Sequence, residues 1–190
     1  MSRTIRAFIA IELPPPVIAL LGKIQQDLKS LRVGARWVRP ENIHLTLKFL
    51  GDFNPAEVEK ICTAMTAAAE GVAPLTLAVG GIGVFPDLKR PRVIWVGLAG
   101  EIQPLLALQH NLENRLSDVG FPKEKRSFKG HLTLGRFKEP ANRDTIRRAM
   151  AEYSDMENER FEAGRMVLFK SDLNPSGAVY SHVKWVELEK

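Results

Sequence analysis

The chain has 190 residues, 45% of them apolar, and a formal charge of +5 at neutral pH, enough to bury a full core in one domain or in two small lobes sharing a cleft. A single cysteine, Cys62, rules out an internal disulfide and fits a reducing compartment. The run Phe8-Ile9-Ala10-Ile11 is cut short by Glu12 and Pro14, too brief for a signal-peptide core or a membrane span, so a soluble cytoplasmic protein is expected.

Pro14-Pro15-Pro16 opens the first helix, whose Val17, Leu20, Leu21, Ile24, Leu28 and Leu31 follow the i, i+3, i+4, i+7 rule. His44-Leu45-Thr46-Leu47 then lies in an apolar run read as a strand, and period two puts His44 and Thr46 on one face and the leucines on the other. Asn54 and Pro55 read as N-cap and first-turn proline of a helix carrying Val58, Ile61, Cys62 and Met65. Leu77 to Phe85 and Val93 to Val96 read as strands around a turn with Pro86, Asp87 and Pro91. The cluster Gly80-Gly81-Ile82-Gly83 precedes no Gly-Lys-Ser/Thr and opens no helix, so it reads as a bulged or closely approached strand. From about Pro104 a helix buries Leu105, Leu108, Leu112, Leu116 and Val119 and stops at Gly120. His131-Leu132-Thr133-Leu134 repeats the tetrapeptide, followed by a helix with Ile146, Ala149, Met150 and Tyr153. Met166 to Phe169, a turn at Asn174, Pro175 and Gly177, and Val179 to Val186 complete the chain.

The two motifs hold half of the four histidines. His44 and His131, Phe85 and Phe169, and Trp95 and Trp185 are 87, 84 and 90 residues apart, a near-constant offset that marks a repeat of strand, helix, strand, strand. The expected fold is α+β: one bilobal, pseudo-twofold unit over residues 1–190, each lobe an antiparallel sheet with two helices, and the active-site cleft between the lobes.

Two such strands across a cleft present one imidazole as base, one as acid, and two hydroxyls, from Thr46 and Thr133, as donors to an anion between them. Packing alone has no reason to choose an ionisable ring twice at equivalent places. Zinc would require further ligands, yet there is no cysteine pair, no His-Glu-x-x-His and no acid beside either motif, so neither metal nor cofactor is expected. One neutral and one protonated imidazole predict a bell-shaped pH dependence with limbs on either side of neutrality. Between Lys123 and Lys138 six cations face only Glu124, which suits a polyanion such as RNA. Strand parity shared with His44 and Thr46 allows Lys48 to point into the cleft, with an edge lysine the equal alternative; Arg136 has the opposite parity from His131 unless the strand bulges. Phe8 and Trp37 are candidate base-stacking rings, with core packing the better reading of each. His110 and His182 read as surface histidines and Cys62 as core.

On these residues the chain resembles the two-histidine phosphoesterase superfamily, most closely its bacterial and archaeal RNA 2',3'-cyclic phosphodiesterases, also called 2'-5' RNA ligases. The resemblance covers nearly the whole chain: Arg6 to Pro14, Trp37 ahead of His44 to Gly51, Arg92 to Gly97, and Phe128 to Arg136. Gly130 departs from it, since this branch often has proline before the second histidine. The resemblance implies opening of an RNA 2',3'-cyclic phosphate end to a 2'-phosphomonoester, with His44 as proton donor to the leaving 3'-oxygen and His131 as proton acceptor activating water. Thr46 and Thr133 would then bind the non-bridging oxygens, with Arg136, Lys48 and Phe8 as auxiliary residues and no metal. The implied partner is RNA with a 2',3'-cyclic phosphate terminus, tRNA fragments included, acted on by a monomer away from any membrane. Two alternatives stay open: reversible 2'-5' ligation of tRNA halves at the same site, and a non-catalytic RNA- or nucleotide-binding module, against which the retention of both His and both Thr argues.

Overall fold

The computed structural model describes residues 4–139, 141–154, 158–175 and 177–189. In chain order these form β1 (Ile5–Ile11), α1 (Pro15–Ser30), β2 (Arg36–Trp37), β3 (Leu45–Phe53), α2 (Val58–Ala69), β4 (Leu75–Phe85), β5 (Val93–Gly100), α3 (Ile102–Asp118), β6 (Leu132–Arg136), α4 (Arg143–Glu152), β7 (Asn158–Ala163), β8 (Arg165–Asn174) and β9 (Gly177–Glu187). The helical stripes bury as their spacing predicts: Val17, Leu21, Ile24 and Leu28 on α1, and Leu105, Leu108, Leu112 and Leu116 on α3. Leu20 and Leu31, on the shoulders of the α1 stripe, are half-buried. Asn54 caps a 3₁₀ turn (Pro55–Glu57) ahead of α2 by accepting from Ala56 N, while Glu57 accepts from Asn54 N, the reciprocal box that satisfies two exposed donors. The short β2 and the strand β7 had no sequence signal.

The strands pair antiparallel in the order β7-β4-β5-β6-β3-β1-β8-β9, with β2 added beside β6. Outward from the centre, β3 thus occupies the place of β6, β1 that of β5, β8 that of β4 and β9 that of β7. The halves join where Leu45 faces Leu132, and the sheet curls about this seam to leave a concave face. Helices α1 and α4 lie against β7 and β4, whereas α2 packs on α3 and β9. The helix following β1 therefore covers the half built on β6, and the helix following β5 covers the half built on β3. This places Phe85 on β4 opposite Phe169 on β8, as the repeat predicts. It does not place Trp95 opposite Trp185: β5 adjoins the central strands and β9 is an outer strand, so that landmark pair is corrected.

The main core fills the space between helices and the convex face, and a smaller cluster of Phe8, Ala10, Val167 and Phe169, with Tyr180 against it, lies on the concave side. Lys48, read as either a cleft or an edge lysine, is neither: it is buried on the helix side. Ala10 faces Thr46 but Ile9 faces Lys48, so Leu47 is an extra residue and the bulge turns Lys48 toward the helices. There, 3% exposed, its Nζ lies 2.9 Å from Glu113 Oε2 on α3 and donates to Pro122 O at 2.6 Å. Glu113 also accepts from Glu124 N, so the pair pins the start of the basic segment leading to His131.

Removing one partner of a buried ion pair leaves a charge without compensation, so Lys48→Ala is expected to cost about 3–5 kcal/mol. The double variant Lys48→Met, Glu113→Gln keeps an acceptor for Glu124 N and should lose much less; urea unfolding of the two variants and the parent compares them directly.

Candidate active site

Each motif histidine stands one residue ahead of its strand and is held the same way. His44 Nδ1 donates to Asn42 O at 2.8 Å and His131 Nδ1 to Lys129 O at 2.7 Å. A carbonyl acceptor requires the proton on Nδ1, so Nε2 of each ring is the nitrogen left to take or give a proton. Asn42 is itself tied to β9 through Ala178 O.

Around His44 the floor is aromatic. Phe8 stacks on the imidazole at 4.5 Å between centroids and on Phe169 at 5.2 Å, with Tyr180 edge-on to His44 at 5.3 Å. Phe8 is only 4% exposed, so it acts as a platform for His44, and its faces are not open to a base. Trp37 packs on the opposite face against Gly135, in agreement with core packing. Around His131, Phe85 lies edge-on at 4.9 Å and Trp95 at 6.1 Å, with Lys129 Nζ over both rings. A Cβ at Gly83 would fall within the Trp95 indole; the glycine cluster is thus the closely approached strand that was expected, and it seats Trp95 beside His131.

Strand β6 bulges at the position equivalent to that in β3. Trp95 faces Thr133 but Ile94 faces Gly135 and Val93 faces Arg136, so Leu134 is the extra residue and Arg136 returns to the cleft face with Thr133. The charge of Arg136 is felt by both His131 and Tyr180, which places it between the halves. The same shift in β3 brings Phe49, 59% exposed, to the cleft face opposite Phe8. Thr46 and Thr133 are half-buried on that face. The structure therefore gathers His44, His131, Thr46, Thr133, Phe8 and Arg136, and removes Lys48. Sequence reasoning passed over Tyr180, Phe49, Lys129, Trp95 and Phe85 as site residues; Phe85 carried a signal in its repeat partner, Lys129 in the basic segment, and Tyr180 carried none. His110 is exposed on α3, and His182 pairs with Glu12 at 2.7 Å.

Burial among the rings holds the His44 pKa down at about 4, against the Asn42 hydrogen bond and with help from the charge of His131. Burial also lowers His131, assisted by Arg136 and Lys129. Burial thus holds both imidazoles below 6.5, toward the neutral form. A site that discourages two imidazolium charges and gathers cations is prepared for an anion. Among the described residues no three His, Cys, Asp or Glu side chains come together as a metal site, and no helix is long and apolar enough to cross a membrane.

A depressed histidine pKa means that the unfolded chain binds a proton the folded one refuses, so stability is full above pH 6.5 and falls as the pH drops toward 4. For His44 the loss by pH 4.5 is roughly 2–3 kcal/mol. Urea unfolding at pH 7 and pH 4.5 should show the parent losing that much more than His44→Gln.

The family described as LigT like Phosphoesterase matches the chain twice, at residues 11–95 and 96–180, one match for each repeat. An RNA 2',3'-cyclic phosphodiesterase of Methanothermobacter thermautotrophicus is 32% identical over 180 residues, covering 95% of this chain and 97% of that protein. One from Methanocaldococcus jannaschii is 32% identical over 94% of this chain and 98% of its own length. A crystal structure from Thermus thermophilus superposes with a TM-score of 0.79 at 27% identity, over 96% of this chain and 97% of that one. Matched in both halves, and with a motif histidine in each, the chain belongs to the LigT-like phosphoesterase family of the two-histidine superfamily.

Proposed function

We propose that this chain hydrolyses RNA 2',3'-cyclic phosphate ends to 2'-phosphomonoesters by metal-independent acid-base catalysis, as one bilobal unit over residues 1–190 in the cytoplasm. The observation carrying the reading is the pair of imidazoles in one cleft, each locked through Nδ1 and each beside a threonine on its own strand face. The relatives' names supply the substrate class.

In the proposed reaction His131 Nε2 takes a proton from water as its oxygen bonds to phosphorus, and the P–O3' bond breaks as protonated His44 gives its Nε2 proton to O3'. The cyclic diester already holds its leaving group in place, so positioned proton transfer and anion stabilisation can supply the barrier reduction. Thr46 and Thr133 hydroxyls donate to the non-bridging oxygens and the Arg136 guanidinium supplies compensating charge. His44, with its pKa near 4 in the open cleft, gains its proton when the anionic phosphate arrives, because a nearby negative charge favours imidazolium. Lys48 has no part in this scheme.

Turnover of a short RNA ending in a 2',3'-cyclic phosphate, with EDTA present, tests the proposal. The product should be the 2'-phosphate, and His44→Ala and His131→Ala should each lower kcat by about 10²–10⁴-fold, the usual share of a positioned acid or base. Binding without turnover would replace the reading with a binding module, and joining of RNA halves would replace it with ligation. The profile of kcat/KM, which reports the free site, should be a bell whose maximum lies below pH 6.5, with the kcat profile displaced to higher pH; a maximum of kcat/KM well above neutrality would overturn the paired-histidine assignment.

A further inference from the structure

Two buried glutamines occupy equivalent places on the first helix of each repeat. Gln25 on α1 is 2% exposed and Gln109 on α3 is 7% exposed; they are 84 residues apart. A buried amide needs partners, and each finds one on the opposite repeat. Gln25 Nε2 donates to Leu134 O at 2.9 Å and to Val38 O at 2.8 Å. Gln109 Nε2 donates to Leu47 O at 3.2 Å and to Glu113 Oε1 at 3.3 Å. The shared acceptor is the carbonyl of the last leucine in the other copy's His-Leu-Thr-Leu.

That leucine is the extra residue of the bulge in both strands, and a bulged residue leaves the regular ladder short of a partner. Two buried glutamines satisfied by any convenient carbonyl would have no reason to choose the same one twice. We infer that Gln25 is a positioning residue for Arg136: by fixing the Leu134 carbonyl it holds the bulge that returns Arg136 to the cleft, as Gln109 holds the equivalent bulge that returns Phe49.

Without the extra residue, Gly135 would take the cleft face and Arg136 would turn toward the helices. Gln25 does not hold the carbonyl alone, since Val38 N also donates to Leu134 O at 2.9 Å. Its amide adds the link from α1 to β6 and to Val38, the residue after β2. The inference leans on the reading of the cleft as a phosphate site only for what Arg136 does there; its position is a matter of fold.

The charges acting on His131 are those of Arg136 and Lys129, with His44 facing it across the cleft, so the imidazole reports where Arg136 stands. The test measures the His131 titration by NMR and the dissociation constant of inorganic phosphate for the parent, Gln25→Met, Gln25→Asn, Arg136→Ala and Gln25→Met with Arg136→Ala, all below the midpoint of unfolding. Met keeps the side chain's length without the amide, and Asn withdraws the amide by one methylene. Gln25→Met should raise the His131 pKa toward 6.5 as Arg136→Ala does and weaken phosphate about tenfold, the usual loss of one charged hydrogen-bonding partner. In the Arg136→Ala background it should do neither. Gln109→Met, with a comparable loss of melting temperature, should leave the His131 titration in place. A Gln25 variant that only melts earlier, or whose effects add in full to those of Arg136→Ala, overturns the inference. Neither readout needs turnover, so an inactive parent would remove the phosphodiesterase reading and leave this test standing.

Discussion

The extra residue just after the threonine of each motif decides which side chains the cleft receives. A regular strand would send residues 44, 46 and 48 to one face and their counterparts 131, 133 and 135 likewise. The bulges at Leu47 and Leu134 instead place two consecutive residues on the helix side and deliver the next one to the cleft. Register is strongly held here because Leu45, Leu47, Leu132 and Leu134 are at most 3% exposed, and a slip would expose side chains whose burial is worth about 2 kcal/mol each. The histidine, the threonine and the residue five beyond the histidine therefore share a face as a consequence of packing on the other one.

The copies diverge at the two positions that follow the bulge. On the helix side one has Lys48 and the other Gly135. A Cβ at Gly135 would stand 3.1 Å from Arg36 O and 3.2 Å from Ala35 Cβ, so glycine there admits β2 against β6. In the other half no strand among the described residues takes that place, and the Lys48–Glu113 pair with its bond to Pro122 O fixes the chain instead. On the cleft side the divergence is Phe49 against Arg136. Both walls carry rings, Phe8, Phe169 and Tyr180 about His44 and Phe85 and Trp95 about His131, but Arg136 and Lys129 gather about His131. A symmetric scaffold carrying asymmetric walls gives two chemically identical groups different environments, as a reaction with one acid and one base requires.

The motifs, the helices and the α+β class were legible because each rests on local pattern: tetrapeptide identity, apolar stripes at helical spacing, and the Asn54 and Pro55 cap. Their shared offset also carried the pairing of Phe85 with Phe169. What misled was the use of strict alternation across a bulge. It left Lys48 open between cleft and edge and Arg136 conditional, although the lysine's buried carboxylate partner lies 65 residues away on α3, beyond the reach of any local pattern. The Trp95 and Trp185 pairing failed for a related reason: equal spacing along the chain does not fix a strand's place in the sheet. Tyr180 was invisible because its role comes from the fold-back of β9 onto Phe8 and Phe169.

In the proposed reaction the aromatic wall also sets how the acid is armed. Packing an imidazole against Phe8 and Tyr180 removes the water that would stabilise its charge, and this burial favours the neutral form of His44. In the proposed reaction this depressed group must carry the donated proton, which makes the bound phosphate part of the acid's environment. Linkage makes the coupling reciprocal: every unit by which the anion raises the His44 pKa is a tenfold preference of that anion for the protonated form, about 1.4 kcal/mol. A neutral ligand of the same shape would fill the cleft without placing a proton on Nε2, so in the proposed reaction selection for a phosphate and delivery of the proton follow from one electrostatic interaction.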